Sequence, residues 1–204
     1  PRNPDCELAD IAAYVEAARS VGNVKVVVDG TFAPPPLQYP LSLGADMVMH
    51  ATTKGLCGHS DAVGGAVCVS DEGLAQELRS DRTALGSTPG SLEVWLLQRS
   101  LRTLHLRVKQ QSESAAALAE WLHRAVVNEA GHPLAGRIAS VRHPSLPSDP
   151  SHAVAKKQMA DGLYGGCFAM ELTTEGAARA LPQALTYFRD ATSLGGVESL
   201  IEWR

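Results

Sequence analysis

The 204-residue sequence has few aromatic residues, no strong excess of either charge and no long apolar run. A formal net charge of −4 and a pI near 6.0 give no broad positive field that would attract nucleic acid or an anionic membrane surface. No apolar run approaches the ~20 residues that cross a bilayer, and no segment resembles a secretory signal. We therefore expect a cytoplasmic globular protein that binds neither nucleic acid nor membranes.

The four cysteines are too scattered to indicate a disulfide framework. They occupy positions 6, 57, 68 and 167, and the chain contains no CxxC or HxxxH pair. A zinc site built from His50, Cys57 and His59 is an alternative, but this spacing is not typical of zinc ligands. The sequence therefore predicts free thiols and no metal.

Strand-like and helix-like segments alternate through much of the chain. The stretch "DCELADIAAYVEAARSVG" predicts an amphipathic helix with Asp5 as N-cap and Gly22 at its end. The apolar runs "VKVVVD", "ADMVMHA" and "GGAVCV" are typical of strands covered on both faces, as in a parallel sheet. Residues 92–127 then predict almost continuous helix with a joint near Lys109. This alternation predicts an α/β fold.

A segment rich in Pro, Ser and His, "HPSLPSDPSH", predicts a boundary between two domains. Residues 1–144 would then be part of a large domain, and residues 145–204 the start of a smaller C-terminal α/β domain. The sequence does not begin with methionine, and we expect it to be a piece of a longer protein.

One lysine stands among small and hydroxyl-bearing residues in "HATTKGLCGHSDAVGG". Lys54 follows one predicted strand and Asp29 ends the strand before it, so neighbouring parallel strands would place both at one edge of the sheet. A simple salt bridge is one explanation. The hydroxyls of Thr52 and Thr53 and the nearby glycines also suit a phosphate. Pyridoxal phosphate (PLP) requires a lysine, a carboxylate and a phosphate site together.

Four motifs carry a resemblance that runs through the whole sequence: "VVVDGTF", "HATTKGLCGHSDAVGGAV", "STPGSLEVWLLQRSLRTLHLR" and "TSLGGVESLI". They resemble the Cys/Met-metabolism family of PLP-dependent enzymes, which includes cystathionine γ-synthases, cystathionine γ- and β-lyases and methionine γ-lyases. The resemblance implies the type I PLP-dependent transferase fold, a mostly parallel sheet flanked by helices. It also implies a homotetramer built as a dimer of dimers.

The resemblance implies a cofactor-binding role for five residues. Lys54 matches the Schiff-base lysine, and Asp29 matches the partner of the cofactor's pyridine nitrogen. Thr53 matches a ligand of the phosphate, and Thr52 would compensate for the hydroxyl that Ala51 lacks. Asn3 matches the asparagine near the cofactor's 3-hydroxyl oxygen.

The substrate follows from the same resemblance. Ser193 matches a residue that holds the substrate's α-carboxylate, and the implied reaction is γ-replacement or elimination on sulfur amino acids or activated homoserine. The alternative is a non-catalytic relative that serves as an oligomeric scaffold or regulator. That alternative rests on Gly30, Ala51 and Gly55, which stand where many members have asparagine, serine and an aromatic residue.

Several parts of the family's site have no counterpart in these residues. They are the glycine-containing phosphate loop, the tyrosine that stacks on the cofactor ring and the C-terminal carboxylate-binding arginine. We therefore expect the 204 residues alone to have little or no activity.

Two further features have simpler explanations. "GHSD" contains a histidine, a serine and an aspartate, but adjacent residues on one short loop cannot form a hydrolase relay. Trp95 and Leu101 are predicted to lie in the core or at a subunit interface. Arg99, Arg102 and Arg107 are predicted to form a solvated or salt-bridged helix face.

Overall fold

The first part of the chain forms a three-stranded sheet in the computed structural model, which describes residues 1–204. Strands β1 and β2 pair in parallel, as predicted, and β3 lies on the other side of β2. The elements in order are helix α1 (Ile11–Val21), β1 (Val27–Asp29), a 3₁₀ helix (Pro40–Leu43), β2 (Met47–Ala51) and β3 (Gly65–Val69).

Strand β3 differs from the prediction in both direction and burial. It runs antiparallel to β2, with Val69 opposite Met47, because residues 52–64 contain no crossover helix that would restore the direction of the chain. Val67 in β3 and Val27 in β1 are 53% and 55% exposed. The sheet is therefore not covered on both faces by these residues.

Helix α1 begins later than predicted. Its N-cap is Asp10, whose carboxylate accepts a hydrogen bond from the Ala13 amide at 3.1 Å. Asp5 is instead held by Arg2 and by the Glu7 amide, so it cannot cap a helix. The predicted end at Gly22 is confirmed.

The central helical region contains α2 (Glu72–Leu85), α3 (Ser91–Leu101) and α4 (Leu104–Val126). The joint between α3 and α4 lies at residues 102–103, whereas the sequence predicted it near Lys109. Helical periodicity continues across both positions, so the pattern alone could not place the break. No helix in the chain combines the length and the apolarity needed to cross a membrane.

The last part of the chain forms small two-stranded sheets beside short helices. Strands β4 and β5 pair antiparallel, and β6 and β7 pair in parallel. The elements are β4 (Ile138–Arg142), α5 (His152–Gln158), β5 (Ala169–Leu172), α6 (Glu175–Ala184), β6 (Arg189–Asp190) and β7 (Leu200–Ile201).

Two clusters of buried residues form the core, and α4 contributes to both. Leu104 of α4 packs with Leu37 and Met159 in the first cluster, and Leu122 packs with Ile138 in the second. The segment 143–151 is not an exposed linker, since His143, Pro144 and Leu146 are among its buried residues. The domain division after residue 144 stays a prediction.

Candidate functional site

The ends of β1 and β2 bring Asp29 and the Lys54 segment to the same edge of the sheet. The Asp29 carboxylate accepts a hydrogen bond from the Thr31 amide at 2.9 Å. The Thr31 hydroxyl accepts one from the Ala51 amide at 2.9 Å, and the Lys54 amide donates to the Ala51 carbonyl at 3.1 Å. A run of hydrogen bonds thus connects the two predicted site residues.

The side chain of Lys54 points toward Ser193. Its Nζ donates a hydrogen bond to the Ser193 Oγ at 3.0 Å, although the two residues are far apart in sequence. Lys54 and Asp29 do not form the salt bridge considered as an alternative, and neither takes part in any other ion pair. The amine and the carboxylate are therefore both available to a ligand.

The "SLGG" segment touches the backbone directly after Lys54. Gly195 has a φ of +76°, and a Cβ atom there would lie 2.4 Å from the Gly55 nitrogen. Two side chains hold the segment in place. Gln111 donates to the Gly196 carbonyl at 2.8 Å, and the Ser60 hydroxyl donates to the Glu198 carboxylate at 3.2 Å.

The two predicted phosphate ligands brace the loop that follows β2. The Thr53 hydroxyl accepts from the Gly64 amide at 3.0 Å and lies 3.3 Å from the Gly64 carbonyl. The Thr52 amide donates to the same carbonyl at 2.9 Å, and the Thr52 side chain is buried. Their role as phosphate ligands stays a prediction.

Asn3 is not joined by a hydrogen bond to either Lys54 or Asp29. Its side-chain oxygen accepts from the Arg204 guanidinium at 2.6 Å, at the exposed surface. Its predicted place beside the cofactor's 3-hydroxyl oxygen therefore stays a prediction.

A buried histidine that the sequence reasoning did not assign to the site lies close to Asp29. His50 is 5% exposed, its Nδ1 has no hydrogen-bond partner, and burial lowers its pKa below the usual range. A Cβ atom at Gly30 would lie 2.6 Å from the His50 Cε1. Gly30, which has no side chain, thus leaves room for this imidazole.

Arg99 and Arg102 are exposed, as predicted, but Arg107 does not belong to a solvated or salt-bridged helix face, so the prediction is wrong for this residue. It donates to the carbonyls of Gly55 at 2.8 Å and Leu56 at 3.3 Å, the two residues after Lys54. Partial burial lowers its pKa. Periodicity reports only the face on which a residue lies, so it could not reveal these contacts.

The hydrolase and metal alternatives find no support in the arrangement. The Ser60 hydroxyl is bound to Glu198, and the His59 Nδ1 lies 2.6 Å from the Cys57 carbonyl oxygen, so "GHSD" assembles no relay. No group of three or more His, Cys, Asp or Glu side chains is placed to hold a metal ion.

The residues at the sheet edge fit pyridoxal phosphate. The cofactor needs an amine that is not consumed by an ion pair, and Lys54 provides one whose only partner is a neutral hydroxyl. It also needs a carboxylate for its ring nitrogen, and the exposed Asp29 carboxylate lies at the same edge.

Comparisons with known proteins agree with this fit. The family profile described as "Cys/Met metabolism PLP-dependent enzyme" matches residues 1–204. The chain is 44% identical over 203 residues to cystathionine gamma-synthase of Mycobacterium tuberculosis, covering 99% of the chain and 49% of that protein. It is 40% identical over 202 residues to cystathionine beta-lyase of Lactococcus lactis subsp. cremoris, covering 99% and 50%.

Solved structures show the same relationship. Cystathionine gamma synthase from Xanthomonas oryzae pv. oryzae, in complex with cystathionine, superposes with a TM-score of 0.89 at 43% identity. That match covers 99% of this chain and 49% of the other. A methionine gamma lyase from Micromonospora echinospora gives 0.87 at 39% identity, covering 99% and 52%.

The chain spans about half the length of the curated relatives it matches. Within that span the predicted α/β fold is confirmed by the structural matches, and the predicted cofactor is confirmed by the family. Together, the profile match and the identities establish that this chain belongs to the Cys/Met-metabolism family of pyridoxal-phosphate-dependent enzymes.

Proposed function

We propose that this protein is a PLP-dependent enzyme that carries out γ-replacement or elimination on sulfur amino acids or activated homoserine. The observation that carries the proposal is the 3.0 Å contact between the Lys54 Nζ and the Ser193 Oγ. It places the amine that would bind the cofactor beside the hydroxyl that would bind the substrate. The relatives named cystathionine gamma-synthase and beta-lyase support this substrate class.

Lys54, Asp29 and Ser193 would each have a separate role in this reaction. The Lys54 Nζ would bind the cofactor and, once the incoming amino group of the substrate has displaced it, would be free to take the proton from the substrate's α-carbon. Asp29 keeps a proton on the cofactor's ring nitrogen, and Ser193 orients the substrate's α-carboxylate close to the Lys54 Nζ. When bound, pyridoxal phosphate supplies a conjugated ring that accepts the electron pair left on the α-carbon.

We also propose a homotetramer, built as a dimer of dimers and located in the cytoplasm. Large apolar side chains at the surface of α3 and the start of α4 support an interface. Leu92 and Leu106 are each 60% exposed, and Trp95 is 59% exposed. Trp95 lines an open groove of about 330 Å³ together with Gln98, Arg99 and Arg102, here called the α3 groove.

The cofactor assignment can be tested by chemical labelling. The protein at its natural length would be incubated with pyridoxal phosphate and reduced with borohydride, and its peptides mapped by mass spectrometry. We expect a pyridoxyl group on Lys54 that is absent in Lys54→Ala and present in the control Lys109→Ala. Lys109 is exposed on α4.

A screen with cystathionine, cysteine and acyl-homoserines would then identify the substrate. Unlabelled Lys54 together with no turnover in this screen would overturn the enzyme assignment. It would leave the scaffold alternative in its place.

A further inference from the structure

Helix α4 contacts both loops that meet at the site. Arg107 donates to the carbonyls of Gly55 and Leu56, directly after Lys54. Gln111 donates to the carbonyl of Gly196, three residues after Ser193. Because residues four apart lie on the same face of a helix, the two side chains extend from one face of α4.

The contacts of Arg107 are unusual for a helix-surface arginine. Besides the two carbonyls, it donates to the Ser100 carbonyl at 3.0 Å and the Thr103 hydroxyl at 3.1 Å. All these acceptors are neutral, and Arg107 forms no ion pair. The rigid fork of N–H donors in a guanidinium suits such a set of fixed carbonyls.

Gly58 lies against the Arg107 guanidinium, in the turn that carries Lys54. Its φ is +69°, and a Cβ atom there would lie 1.9 Å from the Arg107 Nη1. Its amide donates to the Lys54 carbonyl at 2.8 Å, which closes the turn that carries the lysine. The absence of a side chain at Gly58 thus leaves room for the guanidinium beside this turn.

Gln111 is supported by its neighbour Ser112. The Ser112 hydroxyl accepts hydrogen bonds from the amides of Tyr164 at 2.8 Å and Gly165 at 3.1 Å. These bonds fix α4 to the later part of the chain, close to the point where Gln111 binds Gly196. The helix is therefore anchored at the position next to Gln111.

We propose that Arg107 and Gln111 are positioning residues, and that α4 sets the separation between the Lys54 Nζ and the Ser193 Oγ. The proposal rests on the function proposed above, in which Lys54 binds the cofactor and Ser193 the substrate. Misplacement of reacting groups by ~1 Å can cost about 100-fold in rate, so a fixed separation matters to the reaction.

The loss of Arg107 and the loss of Gln111 are expected to cause different defects. Loss of Arg107 loosens the lysine turn, whereas loss of Gln111 loosens the substrate side. Loss of a hydrogen bond to a charged group changes an equilibrium constant by about tenfold or more. We therefore expect the loss of Arg107 to change the stability of the lysine turn and the binding of the cofactor by about this factor.

The variants are Arg107→Met, Arg107→Lys and Gln111→Leu, with Lys109→Met and Gln110→Leu as matched exposed controls on α4. Measurements are made on the protein at its natural length. They are hydrogen exchange of the Gly58 amide without cofactor, the pyridoxal phosphate concentration that half-labels Lys54, and kcat and KM. The substrate is L-cystathionine or, if that is not turned over, the acyl-homoserine that is.

For Arg107→Met we expect two quantities to rise about tenfold: the rate of hydrogen exchange at the Gly58 amide, and the pyridoxal phosphate concentration that half-labels Lys54. Arg107→Lys should fall between this variant and wild type, because it keeps the charge but loses the fork. Gln111→Leu should leave labelling unchanged and raise KM severalfold with a smaller change in kcat. The controls should behave as wild type.

The proposal is overturned if Arg107→Met and Arg107→Lys leave exchange and labelling unchanged. It is also overturned if Gln111→Leu and Arg107→Met cause the same uniform loss, which would indicate only a structural role. If wild-type Lys54 is not labelled at all, the proposed function fails instead, while the exchange at Gly58 still tests the Arg107 contact.

Discussion

Gly195 marks the closest approach between the "SLGG" segment and the lysine turn. A Cβ atom at this position would meet the backbone of Gly55 at 2.4 Å and the Lys54 carbonyl carbon at 3.1 Å, and neither can rotate away. The contact therefore depends on the absence of a side chain, in addition to the φ of +76° that disfavours one.

Substitution of Gly195 should damage the site more than backbone strain alone would. Gly136 is a matched control, since its φ is +72° and a Cβ atom there would meet nothing within 4 Å. We expect Gly136→Ala to lower the free energy of unfolding by about 1 kcal/mol. Gly195→Ala should cost a further ~1–3 kcal/mol in urea unfolding and raise KM, because the two loops must separate. If Gly136→Ala and Gly195→Ala lost the same free energy of unfolding, the contact between Gly195 and the lysine turn would be contradicted.

Single residues differed in how far the sequence could place them. Asp29 and Lys54 were predictable because Asp29 ends one strand and Lys54 follows the next, and the carboxyl ends of parallel strands meet at one edge. Arg107 was not, because its acceptors are backbone carbonyls of a loop, and no side-chain pattern marks them. Ser193 was assigned to the site only through the resemblance, and its contact with Lys54 was not predicted, since no local rule joins such distant positions.

At the scale of elements, Asp46 connects the helix and the strands that lead to the site. Its carboxylate accepts from the Val26 amide at 2.7 Å, just before β1, and from Arg19 of α1 at 2.8 Å. Lys25 lies 3.4 Å away. These bonds lower the pKa of Asp46 to about 2, and the hydrogen bond from the Val26 amide makes the largest contribution.

The acid stability of the protein should therefore depend on Asp46. Since its folded-state pKa lies below the ordinary value of 3.8, its contribution is present above pH 3.8 and is lost as the pH falls through about 2. Urea unfolding between pH 5 and 2 should show a shallower pH dependence in Asp46→Asn than in wild type. The exposed Asp81 on α2 provides the control, and an unchanged slope in Asp46→Asn would contradict the assignment.

Element types were predictable from the sequence, but their ends and directions were less so. Gly22 ended α1 as predicted, because glycine without a side chain is poorly suited to continue a helix. The direction of β3 depended on whether residues 52–64 form a crossover, and apolar composition does not determine this. The burial of the segment 143–151 depended on tertiary packing, which Pro and Ser content does not report.

At the scale of the whole molecule, the chain exposes more surface than a compact monomer of its size. Its accessible surface is 11928 Å² for 21.6 kDa. A compact monomer of that mass would expose about 9,200 Å². Large apolar side chains are exposed on the sheet and on α3, including Val27, Val67 and Trp95, and they contribute to this excess surface. Further protein surface, from a longer chain or from other copies, is expected to cover them.

The α3 groove allows the proposed assembly to be tested. Trp95, 59% exposed beside Arg99 and Arg102, would be buried against a second copy, because a large aromatic side chain with arginine neighbours is typical of interface centres. A buried glutamate placed there would lose its hydration, so Trp95→Glu should lower the molar mass measured by light scattering from that of a tetramer. Tyr187→Glu, at a position 90% exposed, should not change it. A tetramer that persists in Trp95→Glu would place the interface elsewhere, and a wild-type monomer would overturn the assembly itself.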